Sequence, residues 1–455
     1  MDNEDERLKI DKENEYDEKE EKNKKRPMVI FIAVIVVIAA VSGAYFGLNG
    51  GSFAVNSQSL TNVKNTVMSV FKGVSGSSSS AKSAAASSSS SSSALTSVFS
   101  SASSSAGAKE MGISFDSSTK SVFKAADKGF FHFSKDGVKF YDNSVNQLWN
   151  YTYTMSSITV LQKGNYACVM ETNGRALKMY SPDGELYSIS CPGTILNVYI
   201  NAMGQSVVLL NCGDEYRTQV YSESGDLVFE RYEQDADIYP VSAALSDDGK
   251  IVDVSYLDAS GVDIKSTVLF FYTSRSDSKN IDTGDFFAAV EKSGQIVPMA
   301  GYNAKTGFMF LGDKEVFAVS TEGKEIWATE LTNKIEKAYF DSNGNIVAGL
   351  GSELSDKDGH GEGAVVLYNQ SGEEKVLYDM GEKITYMNVC GTDIIVGSGK
   401  SYCGITSSGK VNWQYTASQD ISDIMPLNGN NLLLVTSTNA AIVKSSDLEK
   451  AAIEE

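Results

Sequence analysis

Histidine is nearly missing from this chain, with two in 455 residues. A Ser–His–acid or Cys–His constellation needs an imidazole held in place by the fold, and a His-rich metal centre needs several. Both classes have almost no material to work with here. Cysteine is scarce and odd in number: Cys168, Cys191, Cys212, Cys390 and Cys403 are scattered, without C-x-x-C spacing. That excludes a disulfide framework and a zinc site. All five fall in or beside segments that read as strands, where a free thiol behaves as a small apolar residue; a Cys390–Cys403 bridge stays conceivable. Positive charge is short as well. With 39 Lys+Arg against 58 Asp+Glu the net charge is -19, which argues against nucleic acid as a partner and suits solubility. Six prolines are few, whereas 39 glycines fit a chain with many turns, and 42% hydrophobic residues is ordinary for a globular protein. The length accommodates two or three domains, or one repeat domain with tails.

What is present is a repeat. Val316–Leu331, VFAVSTEGKEIWATEL, reads as two strands joined by a tight glycine turn. VKFYDNSVNQLWNYTY from Val138, ALKMYSPDGELYSIS from Ala176, TQVYSESGDLVFERY from Thr218, AVVLYNQSGEEKVLYDM from Ala364 and YCGITSSGKVNWQYTA from Tyr402 follow the same plan. Each has an alternating apolar strand, a polar turn, and a second strand carrying a large aromatic: Trp149, Tyr187, Phe229, Trp327, Tyr378 and Trp413. In four copies the aromatic lies four residues beyond the turn position (Val145, Gly225, Gly323, Gly409), and all three tryptophans of the chain occupy this slot. Glycine permits the positive φ a tight hairpin needs, period-two alternation gives a strand one buried face, and the aromatic supplies buried area between units. One such sheet cannot bury its own faces, so the units stack.

Taken in order, residues 1–27 are charged, with eleven acidic and eight basic residues in the first 26, and are expected to be a disordered cytoplasmic tail. Residues 28–48, MVIFIAVIVVIAAVSGAYFGL, carry no charge and are long enough to cross a bilayer. Lys22, Lys24, Lys25 and Arg26 precede them and mark the cytoplasmic side, so an uncleaved signal anchor is expected, with the rest of the chain outside. Residues 49–110 form a flexible linker, with 19 serines among the 31 residues from Ser75 to Ser105. Within it, Leu60, Val63, Val67, Val70 and Phe71 give 57–73 the spacing of a short amphipathic helix. Residues 111–447 are nearly all strand and turn, and 448–455 are a polar tail. Eight units of about 40 residues each fit this stretch; seven is the alternative, because the unit between Tyr239 and Lys292 is irregular. The last unit lacks a fourth strand, and Gly112–Asp116, GISFD, is a spare strand-like piece able to close the ring and remove its open edges. The fold class expected is therefore all-β: a single β-propeller of four-stranded blades.

These units resemble the PQQ-like (quinoprotein-type) propeller repeat. Phe317-Ala-Val-Ser320, Gly323-Lys324 and Trp327 carry the resemblance best, followed by Gly409-Lys410 and Trp413. The layout of acidic tail, anchor, Ser-rich spacer and divergent units also resembles an uncharacterised family of membrane-anchored propeller proteins from Gram-positive bacteria. The wider repeat family includes both scaffolds and dehydrogenases, so the resemblance implies fold and not activity.

The chemistry on offer is sparse. His132, in FFHF, reads as structural. His360 sits in Asp356-Lys-Asp-Gly-His-Gly-Glu-Gly363, where Asp356, Asp358 and Glu362 are hard oxygen donors of the kind calcium prefers. That loop lacks the EF-hand continuation and reads as a long polar connection between two strands rather than a calcium site. A quinone-dependent dehydrogenase would need an adjacent cysteine pair, which is absent, and a free tryptophan, whereas all three are taken by the repeat slot. The expectation is a cell-membrane protein with an extracellular propeller, acting without cofactor, metal or catalytic residues as a scaffold for envelope protein or cell-wall polymer. The alternative is an enzyme working in the propeller channel as a polysaccharide lyase or dehydrogenase.

Overall fold

The computed structural model describes residues 112–451, apart from 236, 262, 275–284, 355–357 and 429. The segments 1–27, 28–48 and 49–110, with the anchor and the amphipathic stretch, lie outside the described residues. Among the described residues no helix is long and apolar enough to cross a membrane.

Eight four-stranded antiparallel sheets follow one another. In seven of them the strands run in sequence order from an inner to an outer strand, over residues 122–152, 158–190, 194–233, 238–293, 299–330, 333–379 and 386–416. The eighth blade takes three strands from 423–444 and borrows its outer strand, Gly112–Ser114, from before the first blade. Gly112 pairs with Ala441 and Ser114 with Asn439, and Phe115 N donates to the Thr438 carbonyl at 2.8 Å. The ring closes as the sequence led us to expect, with eight blades and not seven. The irregular fourth blade owes its outer strand to Ala288–Ser293, just beyond the Phe286–Phe287 pair.

Burial falls from hub to rim. Second and third strands, such as Gly307–Leu311 and Ala364–Tyr368, are buried along their whole length, because neighbouring blades cover both faces. Period-two alternation between buried and exposed positions is seen in outer strands such as Glu325–Glu330 and Val411–Thr416. The core is therefore a set of inter-blade clusters. Phe131, Phe133 and Phe140 of blade 1 pack with Val160, Val169 and Tyr180 of blade 2, and Phe123 and Phe130 of blade 1 pack with Met425 and Leu433 of blade 8. Each fully buried aromatic contributes roughly 1.5–3 kcal/mol relative to exposure.

The recurrent glycine and aromatic are two halves of one contact. In blades 2, 3 and 6 the turn between third and outer strands lies over the aromatic slot of the blade before it. Trp149 Nε1 donates to the Pro182 carbonyl at 2.8 Å, and Trp327 Nε1 donates to the Gln370 carbonyl at 2.9 Å. Gly372 has φ +81°, and a Cβ there would sit 2.7 Å from the Trp327 ring; at Gly225, with φ +85°, it would sit 2.6 Å from Tyr187 Cβ. Glycine is thus required twice over, for its conformation and for the close approach. Val145 holds the same position in blade 1 at φ +61°, where Asp142 accepts bonds from Ser144 N and Asn146 N, both at 2.8 Å.

The sixth copy departs from the pattern. Its register shift falls between Val365 and Val366, and Leu377, 7% exposed, takes the buried place. Tyr378 is only partly buried and reaches Gln414 at 3.2 Å. Blade 8 has no such turn. Helix α1, Ser445–Ala451, replaces it, and Leu448, 2% exposed, joins the cluster around Trp413. All five cysteines are free thiols.

Candidate functional site

Two regions gather side chains that could bind something: the channel walled by the inner strands, and the outer strands at the perimeter. At one end of the channel is a cavity of about 180 Å³ bounded by inner-strand residues of blades 2 to 7, with Lys163, Tyr199, Asn201, Asp247 and Tyr302 as its polar lining. Burial pushes the Lys163 ammonium pKa down, opposed by the carboxylates of Asp247 and Asp341. Asn201 Nδ2 donates to the Ser246 carbonyl at 2.9 Å, tying blade 3 to blade 4.

A second polar cluster joins blades 7, 8 and 1. Asp423 accepts from Tyr386 Oη at 2.6 Å, from Asn388 Nδ2 at 3.3 Å and from Ile424 N at 2.9 Å. Lys124, 8% exposed on the inner strand of blade 1, is the nearby cation. Burial pushes the Asp423 carboxyl up and the Lys124 ammonium down, each partly offset by the other's charge. Burial also pushes the Cys390 thiol up to about 12. A thiol held that high is not a nucleophile near neutrality. The arrangement is suited to stitching strands across the ring closure.

The residues picked out by sequence do not converge. His132 Nε2 lies 2.8 Å from Ser121 Oγ, and its ring stacks on Phe123 with centroids 4.5 Å apart. Burial, helped by the Lys139 charge, pulls its pKa down to about 4. The backbone of His360 is clasped by the Asn333 side chain at 2.9 and 2.7 Å, and its Nε2 lies 2.5 Å from Glu374 Oε1. Asp358 and Glu362 are exposed, and Asp356 lies outside the described residues. Among the described residues no group of three or more His, Cys, Asp and Glu side chains is placed to hold a metal.

The perimeter was not anticipated. In five blades the pairing of third and outer strands slips just after the turn, and in blade 6 it slips further along. A bulge of this kind turns two consecutive side chains away from simple alternation. In four of these blades the slipped residue is an exposed aliphatic, namely Leu148, Leu186, Val228 or Ile326. Of eleven exposed large hydrophobics among the described residues, nine sit on outer strands, and Leu148, Tyr151, Leu186, Leu227, Val228 and Tyr232 occupy three consecutive blades. The signal in the sequence was the apolar residue just before the slot aromatic in four copies, Leu148, Leu186, Val228 and Ile326.

A family described only as a family of unknown function (DUF5711) matches residues 102–444. The chain belongs to that family. Its matched stretch contains every blade of the ring. Among curated proteins none matches. Among solved structures the chain is similar to BamB from Moraxella catarrhalis, at 14% identity over 74% of this chain and 99% of that one, TM-score 0.42. It is also similar to Sqt1 from Chaetomium thermophilum, at 12% identity over 74% and 100%, TM-score 0.45. A third similarity is to dipeptidyl peptidase 4 from Porphyromonas gingivalis, at 10% identity over 72% and 58%, TM-score 0.47.

Proposed function

We propose that this chain is a membrane-anchored, extracytoplasmic scaffold whose propeller docks an envelope protein, without catalysis of its own. The observation that carries the reading is the apolar perimeter. Outer strands leave backbone N–H and C=O groups unpaired along one edge, which is a template for strand addition by a partner. Here those edges are flanked by exposed Leu, Val, Ile and Tyr on consecutive blades. Exposed apolar groups clustered in this way mark interaction surfaces. The anchor rests on the uncharged 28–48 run behind its basic cluster, and the Ser-rich linker would give the domain reach to its partner.

The test is photo-crosslinking in cells from the intact chain, with the reactive group placed at Leu148, Val228 or Ile326 and, for comparison, at exposed Lys305. Reproducible capture of the same protein from the perimeter positions and not from Lys305 supports the scaffold. Absence of any captured protein, with wall glycan or a small molecule retained by the purified chain, overturns protein docking and turns attention to wall polymer or to the channel.

A further inference from the structure

On the ring face opposite the channel cavity, a cavity of about 330 Å³ opens where the ring closes. That volume is at the lower end of the range for small-ligand sites. One wall is the stretch Ile113–Asp116 with Thr119, the segment through which the chain enters the fold. The other is blade 1. Across blade 1 a single row of paired residues faces it: His132 opposite Lys139, and Lys139 opposite Asn150. Asp136, at the turn between the second and third strands, adds a carboxylate at the rim, while Phe115 and Tyr141 add aromatic surface.

Three polar side chains here, Asp136, Lys139 and Asn150, are exposed to solvent and open to a ligand. The side chains of Lys139, Asn150 and Asp136 have no hydrogen-bond or ion-pair partner among the described residues, and His132 Nδ1 is buried without one. Asp116 uses one carboxylate oxygen to accept from Ser118 N at 2.8 Å. The charges decide the ligand class. Two carboxylates, one ammonium and an imidazole kept neutral by burial leave the cavity slightly negative, so a phosphate or another anion is disfavoured. A purely apolar ligand would strip water from the lysine, the amide and the carboxylate without replacing their bonds, at roughly 1–3 kcal/mol for each group. A ligand with one apolar face and several hydroxyls satisfies all of them: the rings take the face, and the carboxylates, amide and ammonium take the hydroxyls.

We infer that this cavity binds a neutral sugar unit of a glycan. The cavity adjoins the perimeter through Asn150 and Tyr151 of the outer strand of blade 1, but its readout, glycan binding by the purified chain, needs no protein partner and is scored independently of the docking proposed above. The experiment uses the full-length chain in detergent on an array of neutral hexose and N-acetylhexosamine oligosaccharides, with sialylated and sulfated ones alongside. Binding to neutral glycans is expected. It should fall at least tenfold in Asn150→Ala and in Asp136→Asn while the melting temperature holds, and stay unchanged in Lys305→Ala. Failure to bind any neutral glycan, preference for the anionic ones, or binding that survives both cavity variants overturns the assignment.

Discussion

If Gly372 is glycine because Trp327 lies beneath it, the two positions must be energetically coupled. Gly372→Ala introduces two costs. A non-glycine residue held in the left-handed region loses roughly 1–2 kcal/mol. The new Cβ would stand 2.7 Å from an indole carbon, where carbon atoms prefer about 3.5–4.0 Å, and relieving such overpacking costs about 1–3 kcal/mol. A total near 3 kcal/mol, spread over roughly 340 residues at about 2.1 cal/mol/K each, lowers the melting temperature by about 4 °C. In a Trp327→Ala background the steric part disappears and the conformational part remains, so the same substitution should cost about 1–3 kcal/mol less. The assay is thermal and urea unfolding of the parent, both single variants and the double variant. A cost of Gly372→Ala that is equal in both backgrounds would show that the glycine serves its own φ alone, and the account of the repeat would be wrong.

Three further outcomes follow from buried groups. Asp253 is fully buried, and among the described residues neither carboxylate oxygen has a partner in good hydrogen-bond geometry; burial raises its pKa well above the ordinary carboxylate value, against the weaker pull of the Ala244 and Asp253 backbone. Folded protein therefore holds a proton that the unfolded chain has released, so stability falls as pH climbs from about 3.9 towards the folded value, by up to about 1.4 kcal/mol per pH unit. Asp253→Val should remove that slope and stabilise at neutral pH by about 1–3 kcal/mol; an unchanged pH profile in urea unfolding would count against the assignment. For His132 the sign reverses. A folded pKa of about 4 means stability is lost as pH falls from about 6.5 through 4, and an NMR titration of the ring should show a midpoint near the lower value, whereas a midpoint near 6.5 refutes its desolvation. Leu448→Ala should cost about 2 kcal/mol or more and shift Trp413 emission to the red, since that side chain is the lid over a tryptophan only 5% exposed; an unshifted spectrum would mean that α1 does not cover it.

The repeat was legible because several copies carry both partners of a contact made with a neighbour, the turn glycine and the slot aromatic, and these survive divergence of everything between them. The ring closure was legible for a similar reason. An incomplete last unit and a spare strand at Gly112–Asp116 account for each other. Blade 4 was harder, since its outer strand, Ala288–Ser293, follows no glycine turn of the repeated kind. Tyr378 misled because a register shift two pairs further along put Leu377 inward, and a bulge leaves no mark in composition. The channel cluster was illegible for a topological reason: Lys124 and Asp423 are about 300 residues apart and meet only because the chain comes full circle. Asp253 was within reach. A carboxylate in the strand Ile251–Asp258, on a face where Ser255 is its next neighbour, interrupts an apolar run that a fully buried strand should keep.

The borrowed outer strand has a mechanical consequence. Whatever pulls on the residues before Gly112 pulls first on three residues, Gly112–Ser114, paired to one neighbour on one side only. Every other blade is continuous through its own turns, whereas the eighth is continuous only through hydrogen bonds. Load therefore enters the fold at its single non-covalent seam, and the ring has a built-in fuse: under tension that strand peels from Asn439–Lys444 before any other blade is strained.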